Sequence, residues 1–135
     1  MSFELERLFR VKNRSKRFLR KCTSRQCVSK LTIGEDIADL GGTILAYMAW
    51  KSEIGAAPLP DIDGLSPDKR FFIGFAQWAC GSHRPEAARV TALTSQHSPS
   101  KYRVNGVVVN MPEFQKAFGC KAKQPMVKDT ICKIW

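Results

Sequence analysis

Between residues 33 and 54 the apolar positions recur at helical rather than alternating spacing, and this stretch organises the chain. Wound at about 100° per residue, Glu35, Asp39, Gly42, Ala46, Ala49 and Glu53 fall within about 40° of one line. That face is acidic at its start and small-sided along its length. Ile37, Leu40, Ile44 and Met48 take the opposite line, with Leu45, Tyr47 and Trp50 on the flanks. The helix is apolar nearly all round, which predicts that it lies inside a protein. A loop over 55–64 follows, rich in Gly and Pro. Ser66-Pro67 then reads as N-cap and first position of a second helix that turns Phe71, Phe72, Phe75 and Trp78 inward, with Gly81 at its end. Arg84-Pro85-Glu86 opens a third helix that runs to Thr94. A polar loop covers 95–103 and brings His97 near Arg103. Residues 104–109 read as a short extended piece, 112–118 as a short helix stopped by Gly119, and the rest as an irregular tail.

The organising helix begins with three carboxylates in five residues, Glu35, Asp36 and Asp39. A helix N-terminus favours each by roughly 0.3–1 kcal/mol. That is too little to hold an ionised carboxylate in an interior without a cation beside it. A metal ion, or a histidine bound to one, would answer the problem. The plain alternative is an acidic first turn facing water, and the residues alone leave both readings open.

At 135 residues the chain is one domain's worth, and its 44% hydrophobic and 25% charged content is ordinary for a globular protein. No apolar run reaches the roughly 18 residues a membrane span needs, and the first 30 residues are too charged for a signal peptide. The net charge of +10 is unevenly placed. Residues 1–30 hold ten Lys/Arg against Glu4 and Glu6, and the remainder is close to balanced. This basic arm can form a short amphipathic helix through Phe3, Leu5, Leu8 and Phe9. It could contact phosphate backbones or anionic surfaces, although solvated polypeptide is the commoner fate of such a run and nucleic-acid binding is disfavoured.

Cysteines 22, 27, 80, 120 and 132 make an odd count, suited to an oxidising compartment with at least one partner outside this polypeptide. Cys22-x4-Cys27 is a weak metal half-site with no second pair to complete it, and His83 and His97 are the only histidines. A self-contained zinc ribbon is therefore not expected.

These residues together resemble a known family. Gly34-Glu35-Asp36-Ile37-Ala38-Asp39 is similar to the G-E-N-I-A-D motif of the neprilysin family of zinc metallopeptidases. Phe71-Phe72, Phe75-Ala76-Gln77, Cys80-Gly81, Arg84-Pro85-Glu86, His97-Ser98-Pro99, Tyr102-Arg103-Val104-Asn105-Gly106, Pro112-Glu113-Phe114, Ala117-Phe118 and Cys132-Lys133-Ile134-Trp135 resemble that family's C-terminal end in the same order. The resemblance covers residues 31–135; residues 1–30 form a basic arm without it.

The resemblance implies a mainly α fold, the C-terminal portion of a gluzincin-type (thermolysin-like) catalytic domain, with a short extended segment near 102–109. It implies one Zn2+ ion for which Glu35 is the third protein ligand, and in which Asp39 orients a zinc-bound histidine. Residues four apart project from one helical face, so such a pair can serve metal and imidazole together. His97 would donate to the oxyanion formed when water attacks a peptide carbonyl, and Arg103 would bind the substrate's backbone carbonyl. A positioned oxyanion donor contributes about 2.7–4 kcal/mol in the transition state. Gly42, Ala46 and Ala49 would admit the neighbouring helix, which in the family carries H-E-x-x-H.

This sequence contains no H-E-x-x-H. Asp36 stands where the motif has Asn, Ser100 where Gly follows His-Ser-Pro, and Trp78-Ala79-Cys80 where the family has Val-Trp-Cys. By resemblance Cys80 and Cys120 pair with cysteines far upstream, and Cys132 pairs with one shortly before the Glu35 helix, a role open to Cys22 or Cys27. The expected partners are peptide substrates and the missing upstream lobe, and the expected location is extracytoplasmic. With one ligand and no H-E-x-x-H the chain alone is expected to be inactive and marginally stable. The alternatives are a non-catalytic remnant, or a binding module whose basic arm docks on nucleic acid or an acidic surface.

Overall fold

The computed structural model describes residues 31–55, 57 and 59–134. The expectations for the basic arm, for Cys22 and Cys27 and for Trp135 fall outside the described residues. Five helices follow in order: α1 (Ile33–Ile54), α2 (Pro67–Gln77), α3 (Pro85–Thr94), α4 (Ser100–Val108) and α5 (Pro112–Phe118). No strand occurs among the described residues, where the one β-bridge, Ile62 to Leu65, closes the loop before α2. None of these helices is long and apolar enough to cross a membrane.

Helix α1 is the axis, 22 residues or about 33 Å long. It packs on α4, while α2 packs on α5 and α4. Leu40, Phe72, Val107, Val108, Met111 and Cys132 form the core, with Ile44, Tyr47, Phe71, Phe75 and Phe114 packed around them. Helix α2 starts as its sequence dictates: the Ser66 side chain accepts the Lys69 N–H at 3.4 Å, and Pro67 takes the first turn, where its missing N–H costs nothing. Helix α5 stops at Gly119, whose φ of 64° is open to glycine and strained for other residues. Beyond it the chain is irregular and is fastened by Asn110, 5% exposed. Asn110 Oδ1 accepts the Cys132 N–H at 2.8 Å, and its Nδ2 donates to the Gly106 carbonyl at 2.6 Å.

Two expectations are corrected here. The segment near 102–109 is not extended: residues 100–108 are helical, and the polar loop ends at Pro99. Residues 104–109 carry four valines with a glycine among them, a composition that favours strand, but helical spacing puts Val107 and Val108 into the core beside Leu40 and Phe72. Burial overrides local preference. Trp78 does not pack inward; α2 ends at Gln77, and Trp78, half exposed, turns toward α4.

Helix α1 is buried along one side rather than all round. Leu40 and Thr43 are enclosed, whereas Leu45 and Met48 are more than half exposed. The small-sided line is uncovered too: Gly42, Ala46 and Ala49 are exposed, and nothing lies within 4 Å of where a Cβ on Gly42 would stand.

Candidate functional site

The first two turns of α1 hold every carboxylate of interest. Glu35 and Asp39 are one turn apart and project in nearly the same direction, and Asp36 projects about 100° away from Glu35. Two segments of distant sequence meet them: the loop over 95–99 and the first turn of α4.

The Asp39 carboxylate takes both prongs of the Arg103 guanidinium, with Nε to Oδ2 at 2.6 Å and one Nη to Oδ1 at 2.7 Å. The two side chains are only 15% and 18% exposed. The fork geometry makes this pair strong and directional. The Asp39 hydrogen bonds raise the already high pKa of Arg103 against the opposing effect of burial, with help from the charges of Glu35 and Asp36. The guanidinium carbon also lies 4.8 Å from the centre of the Trp78 ring. Arg103 is thus held between an acid and an indole, and three of its five N–H donors are not committed to Asp39.

One turn earlier, His97 Nε2 is 3.1 Å from Glu35 Oε2, and both side chains are about half exposed. The loop carrying His97 is fixed on both flanks: the His97 backbone N–H donates to Ser95 Oγ at 3.0 Å, and the Ser98 hydroxyl donates to Asp36 Oδ2 at 3.0 Å. Thr32, at the N-cap of α1, caps no backbone N–H with its side chain and donates its hydroxyl to the same Asp36 oxygen at 3.1 Å.

The four residues singled out in the sequence therefore form two adjacent pairs, Glu35 with His97 and Asp39 with Arg103, on one end of one helix. The structure adds three partners to these four residues: Asp36 and Ser98, which the motifs carry without a stated role, and Trp78, which the sequence turns inward. The signal for Asp36 was its direction: an acid off the Glu35–Asp39 line must serve a different neighbour.

The described residues contain no group of three or more His, Cys, Asp and Glu side chains able to hold a metal ion. A catalytic zinc takes three protein ligands. The donor set present fits one corner of such a site, the half-exposed Glu35 carboxylate, and does not make a site on its own.

The chain is 43% identical over 111 residues to Neprilysin-1 of Caenorhabditis elegans, a stretch that covers 78% of this chain and 15% of that protein. It is 44% identical over 108 residues to human Membrane metallo-endopeptidase-like 1, covering 77% and 14%. The chain thus spans about one-seventh of the length of these relatives. Among solved structures it resembles the Mycobacterium tuberculosis zinc metalloprotease ZMP1 in complex with inhibitor, with a TM-score of 0.77 at 32% identity over 97% of this chain and 22% of that one. The fold is accordingly that of a C-terminal part of a gluzincin-type domain. The family model for peptidase family M13 matches residues 7–134, and the chain belongs to that family, the neprilysin-like metallopeptidases.

Proposed function

We propose that this chain supplies one wall of a zinc metalloendopeptidase active site, with Glu35 as a zinc ligand and Asp39, His97 and Arg103 around it. The observation that carries the reading is the juxtaposition of two acid–base pairs on successive turns of α1, each assembled across more than 60 residues of chain. A purely structural acidic turn has no need of an imidazole and a guanidinium brought from so far away. In such an enzyme the bound zinc supplies an activated water and polarises the peptide carbonyl.

The chain's own residues divide the remaining work. Glu35 presents a carboxylate to the metal position. Asp39 fixes Arg103 and retains lone pairs for a second donor, the role of orienting a histidine that ligates the metal. Arg103 directs its uncommitted N–H groups toward a substrate carbonyl, and His97 donates to the developing oxyanion. The other ligands come from the H-E-x-x-H helix of the upstream lobe, for which the uncovered Gly42, Ala46 and Ala49 leave room. The 135 residues alone are therefore inactive. An extracytoplasmic setting accompanies this reading, and with it a disulfide of Cys132, for which the resemblance leaves Cys22 or Cys27 as partner.

Calorimetry tests the proposal. The purified chain should take up zinc weakly and without fixed stoichiometry. Supplied with the upstream lobe, it should form a tight one-zinc site that Glu35→Ala abolishes, whereas His97→Ala should lower turnover and leave the metal in place. One tight equivalent on the chain alone, or activity indifferent to both substitutions, overturns it.

A further inference from the structure

We infer that Asp36 and Ser98 are positioning residues for His97: their hydrogen bond is the strut that holds the 95–99 loop where the imidazole meets Glu35. The catalytic consequence rests on the function proposed above; the positioning itself does not.

The loop is short and half-exposed, and its own internal bond, His97 N–H to Ser95 Oγ, shapes it without tying it to anything else. Two side-chain contacts link it to α1. One is the His97–Glu35 pair itself, between groups about half in water, a class of contact too weak to organise a loop. The other is Ser98 Oγ to Asp36 Oδ2 at 3.0 Å, partly buried and spanning 62 residues of sequence. A hydrogen bond to a charged acceptor is the stronger kind. Asp36 is in turn braced by Thr32, which is 6% exposed and donates to the same oxygen. The strut therefore runs from a buried threonine at the start of α1, through one carboxylate oxygen, to the residue next to His97. Both hydroxyls converge on Oδ2 alone, so a side chain with a single acceptor oxygen suffices. An asparagine, which the neprilysin-like motif has at this place, meets that requirement, and an alanine does not.

The test uses the purified full chain and the His97 ring. With only two histidines in the sequence, His83 serves as the internal control. In the unmodified chain, nuclear Overhauser contacts should join the His97 ring protons to the Glu35 side chain. Asp36→Ala and Ser98→Ala should each abolish them while His83 is unchanged and the far-UV circular dichroism is retained; Asp36→Asn should keep them. If Asp36→Ala unfolds the chain, Ser98→Ala decides alone, since it removes one partly buried hydroxyl and no charge. Contacts that survive Ser98→Ala, or that vanish equally in Asp36→Asn, overturn the inference. In enzyme assembled with the upstream lobe, Ser98→Ala lowers kcat by about 10- to 100-fold, the scale of a misplaced catalytic group, with zinc content unchanged. Lost ring contacts with undiminished kcat would leave the strut standing and sink the role given to His97.

Discussion

Removing either partner of the Asp39–Arg103 pair tests the site and the fold together. The pair is bidentate, at 2.6 and 2.7 Å, and its side chains are less than one-fifth exposed, so it is screened far less than a surface ion pair. Arg103→Ala strands a mostly buried carboxylate beside Asp36 and Glu35 with no cation opposite. The expected loss is about 3 kcal/mol, the low end for breaking a buried pair because these groups are not fully enclosed. Lost stacking on the half-exposed Trp78 adds about 0.5 kcal/mol. Arg103→Lys keeps the charge but not the fork, and costs about half as much. For a chain of this size about 3 kcal/mol lowers the unfolding midpoint by roughly 10 °C. The discriminating measurement is the double-mutant cycle with Asp39→Ala, followed by urea unfolding and far-UV circular dichroism. The coupling energy should be about 2 kcal/mol and should persist in about 1 M salt. A coupling under about 0.5 kcal/mol, or one that salt removes, would refute the claim that this pair locks α4 to α1.

Two further predictions concern polar contacts away from the candidate site. The Tyr47 hydroxyl donates to Asp68, and Lys51 lies 3.4 Å from the same carboxylate oxygen. Burial tends to raise Asp68, but the Tyr47 hydrogen bond and the Lys51 charge outweigh it and hold it below the usual carboxylate value. The stability contributed is therefore present above about pH 4 and lost as pH falls through the lowered pKa. Burial, and then Asp68, raise Tyr47 well above 10.0, so its contribution is complete below pH 10 and fades as pH rises beyond it. Tyr47→Phe should cost about 1.5 kcal/mol at pH 7, the low end for a hydrogen bond to a charged group. Urea titrations should find the gap to the unmodified chain closing in acid; a constant gap from pH 7 down to pH 2 would exclude the assignment. Asn110→Ala should cost about 2 kcal/mol by leaving the Cys132 N–H without its acceptor inside the core. Hydrogen exchange at Cys132 reads this directly, and unchanged protection there would contradict it.

Much of this architecture is legible in the sequence, for reasons that differ by element. Helices α2, α3 and α5 announce themselves by Pro at their first turn, and α5 by Gly119 after its last. These are backbone constraints and act wherever the residue stands. Helix α4 carries no such mark beyond Pro99, and its valines argue for strand. Its helicity is a tertiary fact, produced by the fit of Val107 and Val108 against Leu40 and Phe72, and no local rule contains it. The site followed the same division. Glu35 and Asp39 could be paired from their spacing alone, but the fork of Arg103 on Asp39 and the reach of Ser98 to Asp36 depend on where α4 and the 95–99 loop return. The helical spacing that turns Trp78 inward presumes a helix running to Gly81, whereas α2 ends at Gln77 and Trp78 is its C-cap.

The two ends of α1 are held by different physics, and this bears on what the site requires. Its distal half is gripped by aromatic surface: Tyr47 stacks on Phe72, and Trp50 on Phe71, with ring centres 5.5 and 5.2 Å apart. Such contacts tolerate small slides because dispersion is nearly indifferent to direction. Its first two turns bury Leu40 in the core and add directed polar bonds from Ser98 and Arg103, each to a particular carboxylate oxygen. Directional bonds fix angles, and an active site needs its ligand and its donors fixed to within a fraction of an ångström. Between the two ends, Gly42, Ala46 and Ala49 lie open to solvent. A helix anchored at both ends and bare along that one face is prepared for a neighbour there without relying on it for the geometry of Glu35. Glycine or alanine substitutions in the aromatic grip should therefore lower stability while leaving the His97–Glu35 contact intact, and Ser98→Ala should break that contact at little cost in stability.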